Sequence, residues 1–204
     1  MKPIYLASRS PRRRDLLKQM GVRFEPLLLR LAPPRGADVD EVQHPGEAAE
    51  DYVVRTAREK AEFGATVIRQ RGMLSRPVLS ADTVVILDGD VLGKPADAAQ
   101  ASDFLRRLSG RRHEVRTAVA VSLAPEIPVL EAVSISTVSF RPINADEIKH
   151  YVGSGEPYDK AGGYGIQGQA GIFVERIEGS YTGIMGLPVF ETAQLLAHAG
   201  LRIL

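Results

Sequence analysis

The chain contains no cysteine, so a disulfide scaffold and thiol chemistry are both excluded, and the composition fits a reducing compartment. It also lacks a surplus of either charge. Lys plus Arg is 26 against 25 for Asp plus Glu, without the broad basic field that a nucleic-acid binder presents. Aromatic residues make up only 6%, too few for a stacking platform along single strands. No apolar run approaches the roughly 20 residues needed to span a bilayer. The short run Ile4 to Ala7 stops at Ser8, which is too brief for a secretion signal. Repeats, low-complexity tracts and linkers are missing as well. A cytoplasmic protein follows, with residues 1–204 as one domain able to bury a proper core.

The positive charge that is present is clustered, at residues 9–14 and 106–116. In the first cluster a strand over Ile4–Ala7 runs through Ser8 and Arg9 to Ser10, a good N-cap, with Pro11 at the first helical position. Leu16, Leu17 and Met20 give the helix an apolar face, and Gly21 is placed to end it. Arg12, Arg13 and Arg14 then crowd the end of a helix that is already partly positive. A bound anion resolves that conflict, because free helix amides and arginine forks both suit phosphate. A solvated basic turn is the plain alternative.

Beyond this helix the pattern predicts a strand over Phe24–Leu29 and a loop over 30–46 that holds Asp38, Asp40 and Glu41. A helix follows from Glu47 to about Arg71, with a break or kink possible at Gly64. Lys60 lies on this helix beside Arg55 and Arg58, a neighbourhood that suggests a solvated face. The most apolar strand is Val78–Leu87, and Asp82 sits in its middle. Asp88-Gly89 is a hairpin signal leading to a short strand, Asp90 to Leu92. Asp97 can cap a helix over Ala98–Leu108. Two long strands, Glu114–Leu123 and Val129–Phe140, come next, then a helix opened by the capping box Asn144/Glu147. A glycine-dense loop (153–171), a strand (Ile172–Ile177), a second glycine-bearing loop and a helix (Pro188–His198) complete the chain. Strands and helices mixed in this way, with hairpins among them, give an α/β fold with a mixed sheet.

Asp82 is the best candidate for a catalytic acid or base, since a carboxylate within an apolar strand must be paired, hydrogen-bonded or metal-bound. The bland alternative is an acid at a strand edge facing water. Asp40-Glu41 adds two oxygen donors of the kind that hold magnesium together with substrate phosphates, a weak signal alone. Gly93-Lys94-Pro95 puts a lysine in a tight turn where it could reach a phosphate, although Pro95 and the spacing rule out a Walker A loop. Gly163-Tyr-Gly-Ile-Gln-Gly168 formally matches a dinucleotide fingerprint, but no strand leads into it and no helix pattern follows. It fits better as a backbone wall over a ligand, with Gln167 offering a donor and an acceptor to a base edge. Histidines 44, 113, 150 and 198 lack metal-ligand spacing, and Ser180 lacks the context of a nucleophile elbow.

Taken together, Leu6-Ala-Ser-Arg-Ser-Pro-Arg-Arg13, Ser80-Ala-Asp-Thr-Val84, Gly93-Lys-Pro95, Asp159-Lys-Ala-Gly-Gly-Tyr-Gly-Ile-Gln-Gly168 and Gly179-Ser-Tyr-Thr-Gly-Ile-Met-Gly-Leu-Pro188 resemble the Maf family of nucleoside triphosphate pyrophosphatases, also described as septum-formation inhibitors. The resemblance runs in order over nearly the whole chain. It implies a curved mixed β-sheet with flanking helices, two lobes around a cleft, as in inosine triphosphate pyrophosphatases, and a homodimer. It implies hydrolysis of a triphosphate to the monophosphate and pyrophosphate with a divalent cation (Mg²⁺ or Mn²⁺), and a house-cleaning or division-arrest role. Carried over by position, Asp82 is the proton acceptor and, with Glu41, a metal ligand. Ser8, Arg12, Arg13, Lys60 and Lys94 hold phosphates. Arg13, Thr83 and Gln167 are similar to the residues of the subtype acting on dTTP and UTP. Arg9 and Thr182-Gly183 depart from the family's usual residues. Two alternatives stand beside this one: a nucleotide-sensing regulatory protein that binds without turnover, and the disfavoured nucleic-acid binder.

Overall fold

The computed structural model describes residues 3–29 and 39–203, so Pro33, Pro34 and Asp38 of the expected loop lie outside the described residues. The first strand, β1 (Ile4–Leu6), leads into helix α1 (Pro11–Gln19) and strand β2 (Phe24–Pro26). Ser10 stands at the N-cap of α1 but its side chain caps nothing. Its backbone N–H instead donates to Ser8 Oγ at 3.2 Å, so the serine two residues earlier closes the turn. At the other end Gly21 and Val22 donate to Lys18 and Leu17, the paired bonds of a Schellman stop, where Gly21 was expected.

Helix α2 (Ala49–Gln70) is unbroken through Gly64. The glycine is there for packing: a Cβ would come within 2.8 Å of Val78 Cγ1 and 3.1 Å of Leu27 Cδ2. The helix buries Val53, Ala57, Lys60, Ala61, Gly64 and Ile68, spaced at three and four residues, so Lys60 lies on the apolar stripe and is buried, not on a solvated face. Strand β3 (Val78–Leu87) turns through Asp88 (φ 54°) and Gly89 (φ 86°) into β4 (Asp90–Leu92), the left-handed pair of a type I′ hairpin. Helix α3 (Ala98–Leu108) starts where Asp97 accepts the Gln100 N–H at 2.8 Å.

Strands β5 (Arg112–Ser122) and β6 (Leu130–Phe140) follow, then α4 (Ala145–Gly153), whose Asn144/Glu147 capping box is complete. The glycine-dense segment is not structureless. It holds three 3₁₀ turns, Glu156–Asp159, Ala161–Gly163 and Gln169–Phe173, before β7 (Val174–Glu178). The second glycine-bearing loop folds into a short helix, α5 (Tyr181–Met185), capped by Ser180 Oγ accepting the Gly183 N–H at 3.0 Å. Helix α6 (Val189–His198) is the last.

The seven strands form one mixed sheet ordered β2-β1-β3-β5-β6-β7, with β4 beside β3. β1 is parallel to β2 and β3, with Tyr5 opposite Val78 and Leu6 opposite Leu79. β4 runs antiparallel to β3, and β7 antiparallel to β6. The α/β expectation with a mixed sheet and flanking helices is met. By contacts the chain forms two compact units. The first comprises residues 1–82, 117–134 and 186–204, the second 83–116 and 135–185. In the first, α2 covers Tyr5, Ala7, Leu27 and Val78 through Ala65, Val67 and Ile68. In the second, Leu105 and Leu108 of α3 and Ile148 and Tyr151 of α4 close over Val85, Val138 and Phe140.

Candidate active site

The first unit gathers most of the charged candidates. After β1, the Ala7 N–H is held by Leu79 O at 2.8 Å, which fixes the start of the turn against β3. Ser8 is buried, and its Oγ takes both the Ser10 N–H and Arg13 Nη1 (3.3 Å). Arg13 reaches further, with Nη1 donating to Ala81 O at 2.6 Å and Nε to Gly186 O at 2.7 Å. Its guanidinium ties the basic turn to the residue preceding Asp82. Burial pulls the Arg13 pKa below its ordinary value, and the negative charges of Asp82 and, more weakly, Glu41 work against that pull. Arg12 lies in the same first turn.

The centre of this unit is a buried ammonium between two carboxylates. Lys60 Nζ donates to Glu41 Oε2 at 2.8 Å and to Asp82 Oδ1 at 3.0 Å. Lys60 arrives on the apolar stripe of α2 and Asp82 on β3, both rigid elements, while Glu41 sits on a stretch without regular structure. Asp82 keeps 15% of its side chain exposed and Glu41 keeps 39%. One cation between two acids leaves the cluster with one net negative charge, and the Lys60 partner is how β3 carries an acid at low exposure. The donors suit a hard divalent cation: two carboxylates plus substrate oxygens and water is the usual magnesium set. Among the described residues no third Asp, Glu, His or Cys joins them, so the protein alone forms no cage.

The second unit holds the remaining candidates. Thr83 follows Asp82 on β3, half-buried, and Lys94 is exposed in the turn after β4. The Gly162 N–H donates to Gly93 O at 3.0 Å, which fastens the glycine-rich segment to the turn carrying Lys94. Gly162 (φ 69°) lies so close to β3 that a Cβ would meet Val85 Cγ2 at 2.8 Å. Glu156 braces the same segment, accepting from Tyr151 OH at 2.9 Å and from the Gln169 N–H at 3.0 Å. Lys160 turns inward to Glu156 O (2.6 Å) and Asp159 Oδ1 (2.5 Å). Gln167 is exposed between these braces. In the same unit Tyr164 OH meets His113 Nε2 at 2.7 Å, both side chains buried and set edge-on to each other.

Three residues of the first unit had no signal in the motifs. Arg55, Tyr52 and Glu47 wrap the Glu41 stretch; the sequence pattern places Arg55 on a solvated face and gives Tyr52 and Glu47 no role beyond the helix expected from residue 47. The burial of Lys60, against the solvated face that Arg55 and Arg58 suggest, has its signal in the step of three from Ala57 and seven from Val53.

These features define a class: a mixed α/β fold with a basic turn at a helix start and a carboxylate–ammonium–carboxylate cluster built on an acid of the neighbouring strand. The model of the Maf-like protein family matches residues 3–199, and the chain belongs to that family. It is 56% identical over 206 residues to a dTTP/UTP pyrophosphatase of Aromatoleum aromaticum, covering 98% of both chains. A dTTP/UTP pyrophosphatase of Bordetella avium is 56% identical over 200 residues (98% of this chain, 96% of its own), and one of Nitrosomonas europaea is 51% identical over the same shares. Among solved structures, a HAM1 protein from Coxiella burnetii is similar over 69% of this chain and 73% of its own, at 19% identity and a TM-score of 0.44.

Proposed function

We propose that the chain is a nucleoside triphosphate pyrophosphatase that hydrolyses dTTP and UTP to the monophosphate and pyrophosphate. The Glu41–Lys60–Asp82 cluster carries the proposal, in a chain 56% identical to dTTP/UTP pyrophosphatases. Hydrolysis of this kind needs charge neutralisation and an aligned water more than covalent help. Asp82, aligned by Lys60, accepts the proton of the attacking water. The hydroxyl goes to one phosphate fragment as the bond between the α and β phosphates breaks. Ser8, Arg12, Arg13, Lys60 and Lys94 hold the phosphate oxygens, with Arg13 also fixing the turn to Ala81. Thr83, Gln167 and Arg13 select the pyrimidine, because a mismatched base edge leaves buried polar groups unpaired.

Glu41 and Asp82 would hold Mg²⁺ or Mn²⁺, which supplies charge neutralisation on the triphosphate when bound. The same reading takes residues 1–204 as one two-lobed domain that works as a homodimer in the cytoplasm on free nucleotides, without nucleic-acid or membrane partners. No described helix is long and apolar enough to cross a membrane. The test is a panel of nucleoside triphosphates assayed for pyrophosphate release with Mg²⁺. dTTP and UTP should lead the panel, and Asp82→Asn should lower turnover at least ~100-fold while the protein stays folded. Bound nucleotide that stays intact with every substrate would overturn the proposal in favour of a binding protein.

A further inference from the structure

Glu41 lies on a stretch with no helix or strand to aim it, yet its carboxylate meets Lys60 at 2.8 Å. What holds it is a grip on three consecutive backbone carbonyls. Arg55 Nη1 donates to Asp40 O at 3.1 Å, Tyr52 OH to Glu41 O at 2.9 Å, and Arg55 Nη2 to Val42 O at 2.9 Å. The same guanidinium is held from behind by Glu47, with Nε to Oε1 at 2.6 Å and Nη2 to Oε2 at 2.9 Å, a bidentate pair with both side chains largely buried. Glu47 Oε2 also takes the His44 N–H at 2.9 Å, so the far end of the stretch closes on the same hub. A solvated arginine bonded only to neighbours on its own helix would show none of this.

We propose that Arg55, together with Tyr52, is a positioning residue that sets Glu41 against Lys60 and Asp82. The proposal rests on the reading of Glu41 as part of the reacting cluster. A planar fork bonding two carbonyls and a carboxylate at once has no substitute in lysine or methionine. Tyr52 stands close enough to the cluster to feel it: its hydroxyl is pushed up to about 12, by burial first and then by the charges of Asp82 and Glu41. Groups that orient a reacting residue without touching substrate commonly cost ten- to a hundredfold when lost.

The test is a set of variants, Arg55→Met, Tyr52→Phe, Glu41→Gln and the two doubles with Glu41→Gln. Each is measured for kcat and KM on dTTP and for amide exchange of residues 40–47 by mass spectrometry. Arg55→Met should lower kcat/KM about 10–100-fold, and Tyr52→Phe about 10-fold, with faster exchange in that stretch. In the Glu41→Gln background neither should cost more than about twofold again, because the residue they aim is already disabled. Arg55→Met losing the same factor in both backgrounds, or keeping wild-type activity and exchange, overturns the positioning role. If Arg55→Met fails to fold, Tyr52→Phe, which removes one hydroxyl, decides the matter by the same comparison. Wild-type activity in Glu41→Gln sinks the reading of Glu41 itself, and the positioning role with it.

Discussion

Histidine 113 should make the protein lose stability in mild acid by an amount fixed by its surroundings. Its ring is buried edge-on between Phe140 and Tyr164, and Nδ1 is buried without a hydrogen-bond partner among the described residues. Burial pulls its pKa from 6.5 down to about 4. Between those values the unfolded chain binds a proton that the folded chain refuses, so stability rises with pH across the window. The contribution is whole above about 6.5 and is lost as the pH falls toward 4. Linkage puts the loss at about 2 kcal/mol by pH 5 and about 3 kcal/mol by pH 4. For a chain of this length about 2 kcal/mol lowers Tm by roughly 4–8 °C. The assay is calorimetry at pH 8, 6 and 5 on the wild type and on His113→Phe/Tyr164→Phe, a pair that keeps the rings and removes both polar ends. The variant should lack this part of the acid drop. Carboxylates add their own losses, chiefly at lower pH: Arg55 holds Glu47 near 2, and Arg141 holds Glu147 below its ordinary value. Equal drops in the two proteins, or a His113 ring resonance that titrates near 6.5, would refute the account.

Two further outcomes test the packing around the site. Gly168→Ala puts a Cβ 2.2 Å from Glu156 Oε1, although the backbone there (φ −104°) suits any residue. It should raise KM for dTTP and UTP several-fold by shifting the Gln167 segment, and Glu156→Ala in the same chain should absorb the added methyl. A Gly168→Ala protein with unchanged KM would show that the brace has no bearing on nucleotide binding. Gly64→Ala gains about 1 kcal/mol of helix propensity and costs about 1–3 kcal/mol in overpacking against Val78 and Leu27. A thermal melt should therefore show no gain or a fall in Tm, and a clear rise would refute the contact.

The elements with strong local signals were legible in the sequence. Asp88-Gly89, Asp97, the Asn144/Glu147 box and the apolar run around Asp82 are local rules that tertiary structure had no reason to override. Errors fell where a residue's partner is distant in the chain. Gly64 looked like a helix breaker because its neighbours Val78 and Leu27 are invisible locally. Lys60 looked solvated because Arg55 and Arg58 sit beside it, whereas their own partners are Glu47 and Glu131. α5 was missed because glycines at 179, 183 and 186 signal a loop, and a serine cap offset them. The motifs marked the residues of the charged cluster, but the hub that aims Glu41 came only from the fold.

Arg13 has a partner 173 positions further along, the carbonyl of Gly186. At ribosomal speeds of about 5–20 residues per second, that oxygen is made about 9–35 s after the arginine. Until then the guanidinium lacks one of the bonds that offset its burial, and the unit built from residues 1–82 lacks its segment 186–204. A chain truncated before Gly186 carries every acid and base of the charged cluster yet leaves Arg13 Nε without the carbonyl that it bonds, while Nη1 keeps Ala81. Two turns 173 residues apart are thus joined through the Arg13 side chain, and the earlier one receives this bond only after the later one is made.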